Sequence, residues 1–295
     1  MTTAMTAWDG TSLDTLLDLE RTGPSTWRTR WIDMNKNGRA YGGQTLGQAM
    51  AAACASAPAE RHPTAMQLMF LSGVRPHAPV DFEVTALQDG KRFASRHVRA
   101  SQGTRPVADA HVSFEVPTAG RSHQVDISPI ESDPERCVPL SAMPCEWEAR
   151  LNQVSGYSLT EKPCLEFRIP EPERQLFDPA AGHRIEFWTR VRSGITSTPH
   201  ARAAAFAYTS DWWLNYSGAG GHLAGMTASE ALYGASLNHG LWLYAGLDPT
   251  CWMLFASASP LTRGGRGLSV AHVYDRSLTL RAIASQEGLM TPVAP

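Results

Sequence analysis

Between residues 80 and 116 apolar and polar positions alternate in short runs, with Phe82 and Val84 set against Asp81, Glu83 and Thr85. A two-residue period puts one set of side chains on a covered face and the other in water, as in a half-buried strand. Turn signals at Pro76 and Pro79, at Asp89-Gly90 and at Gly103 divide the region into strands predicted over 66–71, 80–87, 92–101 and 106–116. Upstream the period vanishes. Residues 44–57, QTLGQAMAAACASA, are small or apolar on nearly every face. A helix of that composition has no side to turn to water and must be wrapped by something. A short strand over 27–32 and glycines at 38, 42 and 43 lead into it. One enclosed helix with an antiparallel sheet around it is an α+β layer.

The same order returns in the last third of the chain. A strand is predicted over 184–191, then a helix with small apolar spacing from His200 to about Trp213. Glycines 218, 220, 221 and 225 then open a second helix, SEALYGASLNHGLWLY, and strands follow over 251–258, 267–274 and 278–285. The closing hairpins read HVRASQGTRPVADAHV and HVYDRSLTLRAIASQE: each starts His-Val, turns, and returns through an Ala-rich alternating strand. Shared order across both halves points to an internal duplication, with buried helices at about 43–57 and 228–245. The intervening stretch is rich in Pro, Glu and Arg and poor in periodicity, which suggests a crossing segment partly packed on the domain. The expected organisation is an N-terminal half over 1–117, a linker over 118–182, and a C-terminal half over 183–295 that carries the catalytic residues.

Composition narrows the function. With 43% hydrophobic and 18% charged residues the chain has ample core, and a formal net charge of -2 gives no basic excess for nucleic acid or an anionic membrane. The N-terminus lacks a basic patch followed by an apolar run, no stretch approaches the ~18 apolar residues of a membrane span, and the ending TPVAP is not the peroxisomal tripeptide. A cytoplasmic location is expected. The five cysteines form no C-x-x-C pair, and the ten histidines form no H-E-x-x-H cluster. Buried thiols in a reducing compartment are expected, with no disulfide framework, metal site or cofactor.

At YGGQTLGQAM and FEVTALQDGKRFASRHVRASQGTRPVADAHVSFEVP in the first half, the sequence resembles the type II acyl-CoA thioesterases. AFAYTSD, ASLNHGLW, RGGRGLSVAHVYDR and IASQEGLM carry the likeness through the second half, so that it covers about 27–117 and 183–291. The resemblance implies a double hotdog: two antiparallel sheets, each wrapping a central helix. Each half would otherwise leave a bare strand edge, so the two sheets are expected to join into one. It also implies a homo-oligomer, an acyl-CoA or acyl-carrier-protein thioester as substrate, and a triad of Asp211, Ser236 and Gln286, with the serine on the hotdog helix.

Thioester hydrolysis needs a water held and partly deprotonated beside the carbonyl, with donors for the developing oxyanion. A carboxylate can take the proton, a hydroxyl can orient the water, and a carboxamide offers both a donor and an acceptor. Other readings stay open at each position. Asp211 could be a solvated turn residue, Ser236 a small residue letting the sheet approach, and Gln286 a surface residue. Val112 stands near the first-half counterpart of Gln286, which favours one active and one structural half. Trp212, Trp213 and Trp242 read either as core or as the wall of an acyl pocket. Arg263 and Arg266, in Arg-Gly-Gly-Arg-Gly, read as a turn or as contacts to the phosphates of coenzyme A. His239 reads as a core or hydrogen-bonding histidine before a catalytic base. Three departures from the family pattern bear on the substrate: Gln67 replaces a histidine, Asn238 replaces an aspartate, and Arg75-Pro76 is displaced by Ser72, Gly73 and Val74. They leave room for release of a carrier-bound acyl or polyketide chain, and for a catalytically weak acyl-thioester binding protein. The intact Asp/Ser/Gln set argues against the last.

Overall fold

The structure is a computed structural model that describes residues 5–35, 38–151, 162–223 and 232–292. The first half runs β1 (Thr6–Ala7), α1 (Leu13–Leu17), β2 (Glu20–Gly23), β3 (Thr26–Arg28), β4 (Trp31–Ile32), α2 (Gly42–Ala55), β5 (His62–Phe70), β6 (Asp81–Asp89), β7 (Phe93–Gln102) and β8 (Arg105–Glu115). The middle stretch contributes β9 (Val138–Pro139), α3 (Glu146–Leu151), β10 (Leu165–Ile169) and α4 (Pro172–Phe177). The second half follows with β11 (Arg184–Val191), α5 (Pro199–Ser210), α6 (Tyr216–Leu223), β12 (Leu232–Leu243), β13 (Met253–Arg263), β14 (Arg266–Asp275) and β15 (Leu280–Pro292).

Among the described residues thirteen strands form one sheet in the order β2-β3-β6-β7-β8-β5-β12-β15-β14-β13-β11-β10-β9. The order is the same read outward from its middle: β5, β8, β7, β6 and β3 on one side match β12, β15, β14, β13 and β11 on the other. The predicted duplication and the joined sheet are both present. The halves meet where β5 pairs antiparallel with β12, from Asn238 opposite Met69 to Trp242 opposite Ala65, so neither half keeps a bare edge there. Leu165, Phe167 and Ile169 of β10 are buried, and β10 extends the second sheet beyond β11.

The helix predicted over 43–57 is α2, enclosed on almost every face. Its two buried glutamines are satisfied: Gln44 accepts from the Asp33 amide and donates to Trp31 O, and Gln48 donates to Leu16 O. Its second-half equivalent is α5, the helix predicted from His200. The two helices pack directly. A Cβ on Gly47 would sit 2.7 Å from Leu17 Cδ2 and 3.0 Å from Ala204 O, so only glycine allows this approach.

The helix expected over 228–245 is corrected by the structure. Residues 228–231 lie outside the described residues, and 232–243 form the strand β12. His239, Leu241 and Leu243 are buried while Trp242 and Tyr244 are exposed. That two-residue period is present in the sequence, but a run of small residues before it reads equally well as helix. Glycines 218, 220 and 221, expected in a loop, lie within α6.

Candidate active site

The last residue of α5 is Ser210, and Asp211 caps the helix as its chain turns away. Two residues on, Trp213 adopts φ 64°. A bulky residue in this left-handed region costs on the order of 1–3 kcal/mol, a strain that the surrounding packing must hold. The reversal leaves the Asp211 side chain buried against two strands. Ser236 comes from β12, at the irregularity in pairing between Ser236 and Asn238, and not from a helix. Gln286 comes from β15 and is fully buried.

The structure brings these three together. Gln286 Nε2 donates to Asp211 Oδ1 at 2.5 Å and to Ser236 Oγ at 2.7 Å, which uses both amide hydrogens. Ser236 Oγ lies 3.5 Å from Asp211 Oδ1, to which it donates. The first half completes the group. The Gly43 amide, in the first turn of α2, also donates to Asp211, so the positive end of that helix faces the carboxylate. Gly42 has to lack a side chain, because a Cβ there would lie 2.6 Å from Asp211 Oδ2.

Burial pushes Asp211 up to about 6, against the opposing donors Gln286, Gly43 and Ser236 and the charge of Lys162. Lys162 Nζ is itself neutralised by Asp33, at 2.7 and 2.9 Å, and lies over the Tyr41 ring at 4.3 Å and the Trp212 ring at 5.4 Å. Asp33 also accepts from Tyr208 Oη. This buried ion pair ties the first half, the middle stretch and α5 together beside the carboxylate. Periodicity gave no hint of it, because neither residue belongs to a strand or helix.

Asp211 and Ser236 open onto a cavity of about 340 Å³. Trp212 and Trp213 line it, with Leu237 and Leu289 from the second half. Residues 70–73, with Arg39 and Tyr41, line it from the first half, and of these the sequence had tied only Ser72 and Gly73 to the substrate. The only sequence signal for them was the altered run around Ser72. Trp242 is corrected: it stands 39% exposed, and the strand alternation that buries Leu241 turns it to the outer face. Arg263 and Arg266 flank the β13–β14 turn and are not among the lining residues, but Arg266 pairs in register with Leu289, which is.

Residues 31–115 match the acyl-CoA thioesterase N-terminal domain, and residues 134–290 match the acyl-CoA thioesterase C-terminal domain. The chain belongs to the acyl-CoA thioesterase family. It is 25% identical over 279 residues to acyl-CoA thioesterase 2 of Haemophilus influenzae, a match covering 93% of this chain and 95% of that protein. It is 26% identical over 292 residues to human acyl-coenzyme A thioesterase 8, covering 94% and 88% of the two chains. Among solved structures, an acyl-CoA thioesterase II from Mycobacterium marinum superposes with a TM-score of 0.74 at 25% identity, over 95% of this chain and 97% of that one. A protein with the hot dog fold from Alicyclobacillus acidocaldarius shares the fold at a TM-score of 0.73 and 15% identity, over 96% and 98% of the chains.

As a member of the acyl-CoA thioesterase family the chain is a thioester hydrolase, and one departure from the family pattern has a local cause. Asn238 Nδ2 donates to Glu287 Oε2 at 3.1 Å, while Arg266 holds Glu287 Oε1 at 2.7 Å. An aspartate at 238 would put two carboxylates in contact, so asparagine suits this neighbour. Gln67 is exposed, opposite Gly240 and His111 in the sheet, and lines no part of the cavity. On β7 and β8, His97, Asp109 and His111 place three potential metal-ligand atoms within 4.8 Å of one another, with His97 Nε2 already 2.8 Å from Asp109 Oδ1. None of the three lines the cavity. All five cysteines are free. Cys54, Cys137 and Cys164 are buried as expected, whereas Cys145 and Cys251 are exposed. No helix among the described residues is long and apolar enough to cross a membrane.

Proposed function

We propose that this thioesterase hydrolyses acyl-CoA to the free acid and CoA, using a water activated by Asp211 with Ser236 and Gln286. The observation that supports this is the meeting of the three side chains around a carboxylate raised to about 6, with Asp211 and Ser236 opening onto the cavity and Gln286 buried behind them. Near neutral pH such a group is mostly ionised yet basic enough to take a proton, the balance that suits a general base. Ser236 accepts from Gln286 and leans toward Asp211, which leaves a lone pair on its oxygen for a hydrogen of the water. Water oxygen adds to the thioester carbon as its proton passes to Asp211. The tetrahedral oxyanion collapses, the carbon–sulfur bond breaks, and the proton on Asp211 goes to the departing thiolate. Trp212 and Trp213 bound the acyl chain, and Arg263 and Arg266 contact the phosphates of CoA. The second half then holds the reacting side chains, while the first half supplies the helix end and one wall.

Release of free thiol from a panel of acyl-CoAs and of carrier-protein-bound acyl groups tests the reading. Turnover is expected on acyl-CoA, and Asp211→Asn should lower kcat by about two to four orders of magnitude with the fold intact. Preference for the carrier-bound panel would move the substrate assignment to carrier proteins. Undiminished turnover by folded Asp211→Asn would remove the base. Association into a homo-oligomer is part of the same proposal, and light scattering showing a monomer would remove it.

A further inference from the structure

His239 sits on β12 directly opposite Gln286, 1% exposed, and has no part in the mechanism above. The hydrogen bonds around it bear on which ring nitrogen carries its proton. Ser210 Oγ lies 2.9 Å from Ala207 O, the carbonyl to which serines near helix ends commonly donate. His239 Nε2 lies 2.9 Å from the same Ser210 oxygen. The one hydrogen of Ser210 serves only one of these two acceptors: spent on Ala207 O it makes the histidine donate from Nε2, and spent on Nε2 it puts the histidine proton on Nδ1, which has no acceptor within hydrogen-bond distance. The first arrangement pairs both polar hydrogens; it makes His239 the Nε2–H tautomer and leaves Nδ1 as a bare lone pair. Burial pushes His239 down to about 3, so it is neutral near neutral pH.

That lone pair has no hydrogen-bond partner, is buried, and lies 4.0 Å from Asp211 Oδ1. Gln286 Oε1, a second acceptor, is also buried without a partner. Two bare acceptors thus belong to the residues that flank an ionisable carboxylate, and neither can donate to it. A lone pair facing a carboxylate favours the protonated acid; an N–H in the same place would favour the ion. The remaining groups about Asp211 are committed elsewhere. Lys162 is paired with Asp33, the Tyr41 hydroxyl donates to Tyr208 O, Glu287 is held by Arg266 and Asn238, and β5 sets the apolar Leu68 opposite His239.

We propose that His239 is a positioning residue which, held as the Nε2–H tautomer by Ser210, keeps a lone pair toward Asp211 and so sets the pH at which the catalytic carboxylate titrates. This rests on Asp211 being the base. It adds a means of tuning that base without adding any charge: the serine at the helix end selects the tautomer, and the tautomer selects the proton affinity.

Two measurements test it. Ring-nitrogen NMR of the unsubstituted protein, with the His239 signals assigned, should show Nε2 protonated and Nδ1 bare. In Ser210→Ala the Nε2–H loses its acceptor, and the Nδ1–H tautomer, now able to donate to Asp211, should gain population. The acid limb of kcat/KM against pH should then fall by about one unit, the scale of one hydrogen bond to a carboxylate. Thr209→Val is the control, since Thr209 Oγ1 makes the same kind of bond to Ala205 O in the same turn and touches no histidine. Its limb should stay in place. An Nδ1–H signal in the unsubstituted protein, or an unmoved limb in Ser210→Ala, would overturn the proposal. If Asp211→Asn keeps both its turnover and the limb, the base assignment falls and takes the proposal with it, whichever tautomer the spectrum shows.

Discussion

At the residue scale, Asp211 is held above its ordinary range by burial even though three donors and a lysine pull it down. A carboxylate raised on folding favours the folded state only while protonated. That contribution is complete below about pH 4 and is lost as the pH climbs through about 6. The shift of roughly two units makes the ionised group cost about 2–3 kcal/mol of stability at pH 8. Asp211→Asn cannot ionise, so it should melt at a higher temperature than the unsubstituted protein at pH 8, and the gap should shrink toward pH 5. Thermal melts at the two pH values decide it; equal gaps would mean that the charge is not penalised. The identity of the three polar residues was legible because each stood in a short, ordered motif. Their grouping as a triad came from the family resemblance, but the elements that bring them together were not legible, since these are a helix cap, an irregular strand pairing and a buried strand residue far apart in sequence. Lys162 and Asp33 were invisible for the same reason: their pairing spans 129 positions.

At the scale of elements, the first half was read closely, down to the bounds of its helix, because its strands alternate cleanly. The second half misled at 228–245. There Gly234, Ala235, Ser236 and Gly240 dilute the apolar signal, and residues 234–238 are all half-buried, which hides the alternation until Leu241. The misreading had a consequence for the tryptophans. On a helix, Trp242 could share a wall with Trp212; on a strand it must point away from buried Leu241. Trp212→Ala should therefore change the relative kcat/KM between small and bulky acyl-CoAs by roughly 10- to 200-fold, the range for one buried contact. Trp242→Ala should leave the ratio unchanged. Initial rates on two acyl lengths for both variants are sufficient, and equal shifts would return Trp242 to the pocket.

At the scale of the whole molecule, duplication supplies two equivalent places for a site, and the proposed catalytic side chains occupy one. Where the second half sets Gln286 opposite His239, the first half sets Val112 opposite Met66, both buried and neither able to handle a proton. Beside them Arg96, 2% exposed, fills the end of α2 with bonds to Ser56 and Asp89. On the proposed mechanism the first half is nevertheless needed. The start of α2 faces Asp211, and Gly42 stands where any side chain would press on the carboxylate: a valine Cβ would begin 2.6 Å from Asp211 Oδ2 and 3.5 Å from Phe70 Cζ. Gly42→Val offers no acid, base or charge, yet it should displace Asp211 from Gln286 and Ser236. A misplacement of about 1 Å can cost on the order of 100-fold in rate, so kcat should fall by that order while the folded state persists. Gly120→Ala, at a position with nothing within 4 Å, should leave turnover unchanged. Steady-state kinetics of both variants, with circular dichroism to show that each is folded, check the dependence. Full turnover by folded Gly42→Val would mean that the second half works without the helix end of the first.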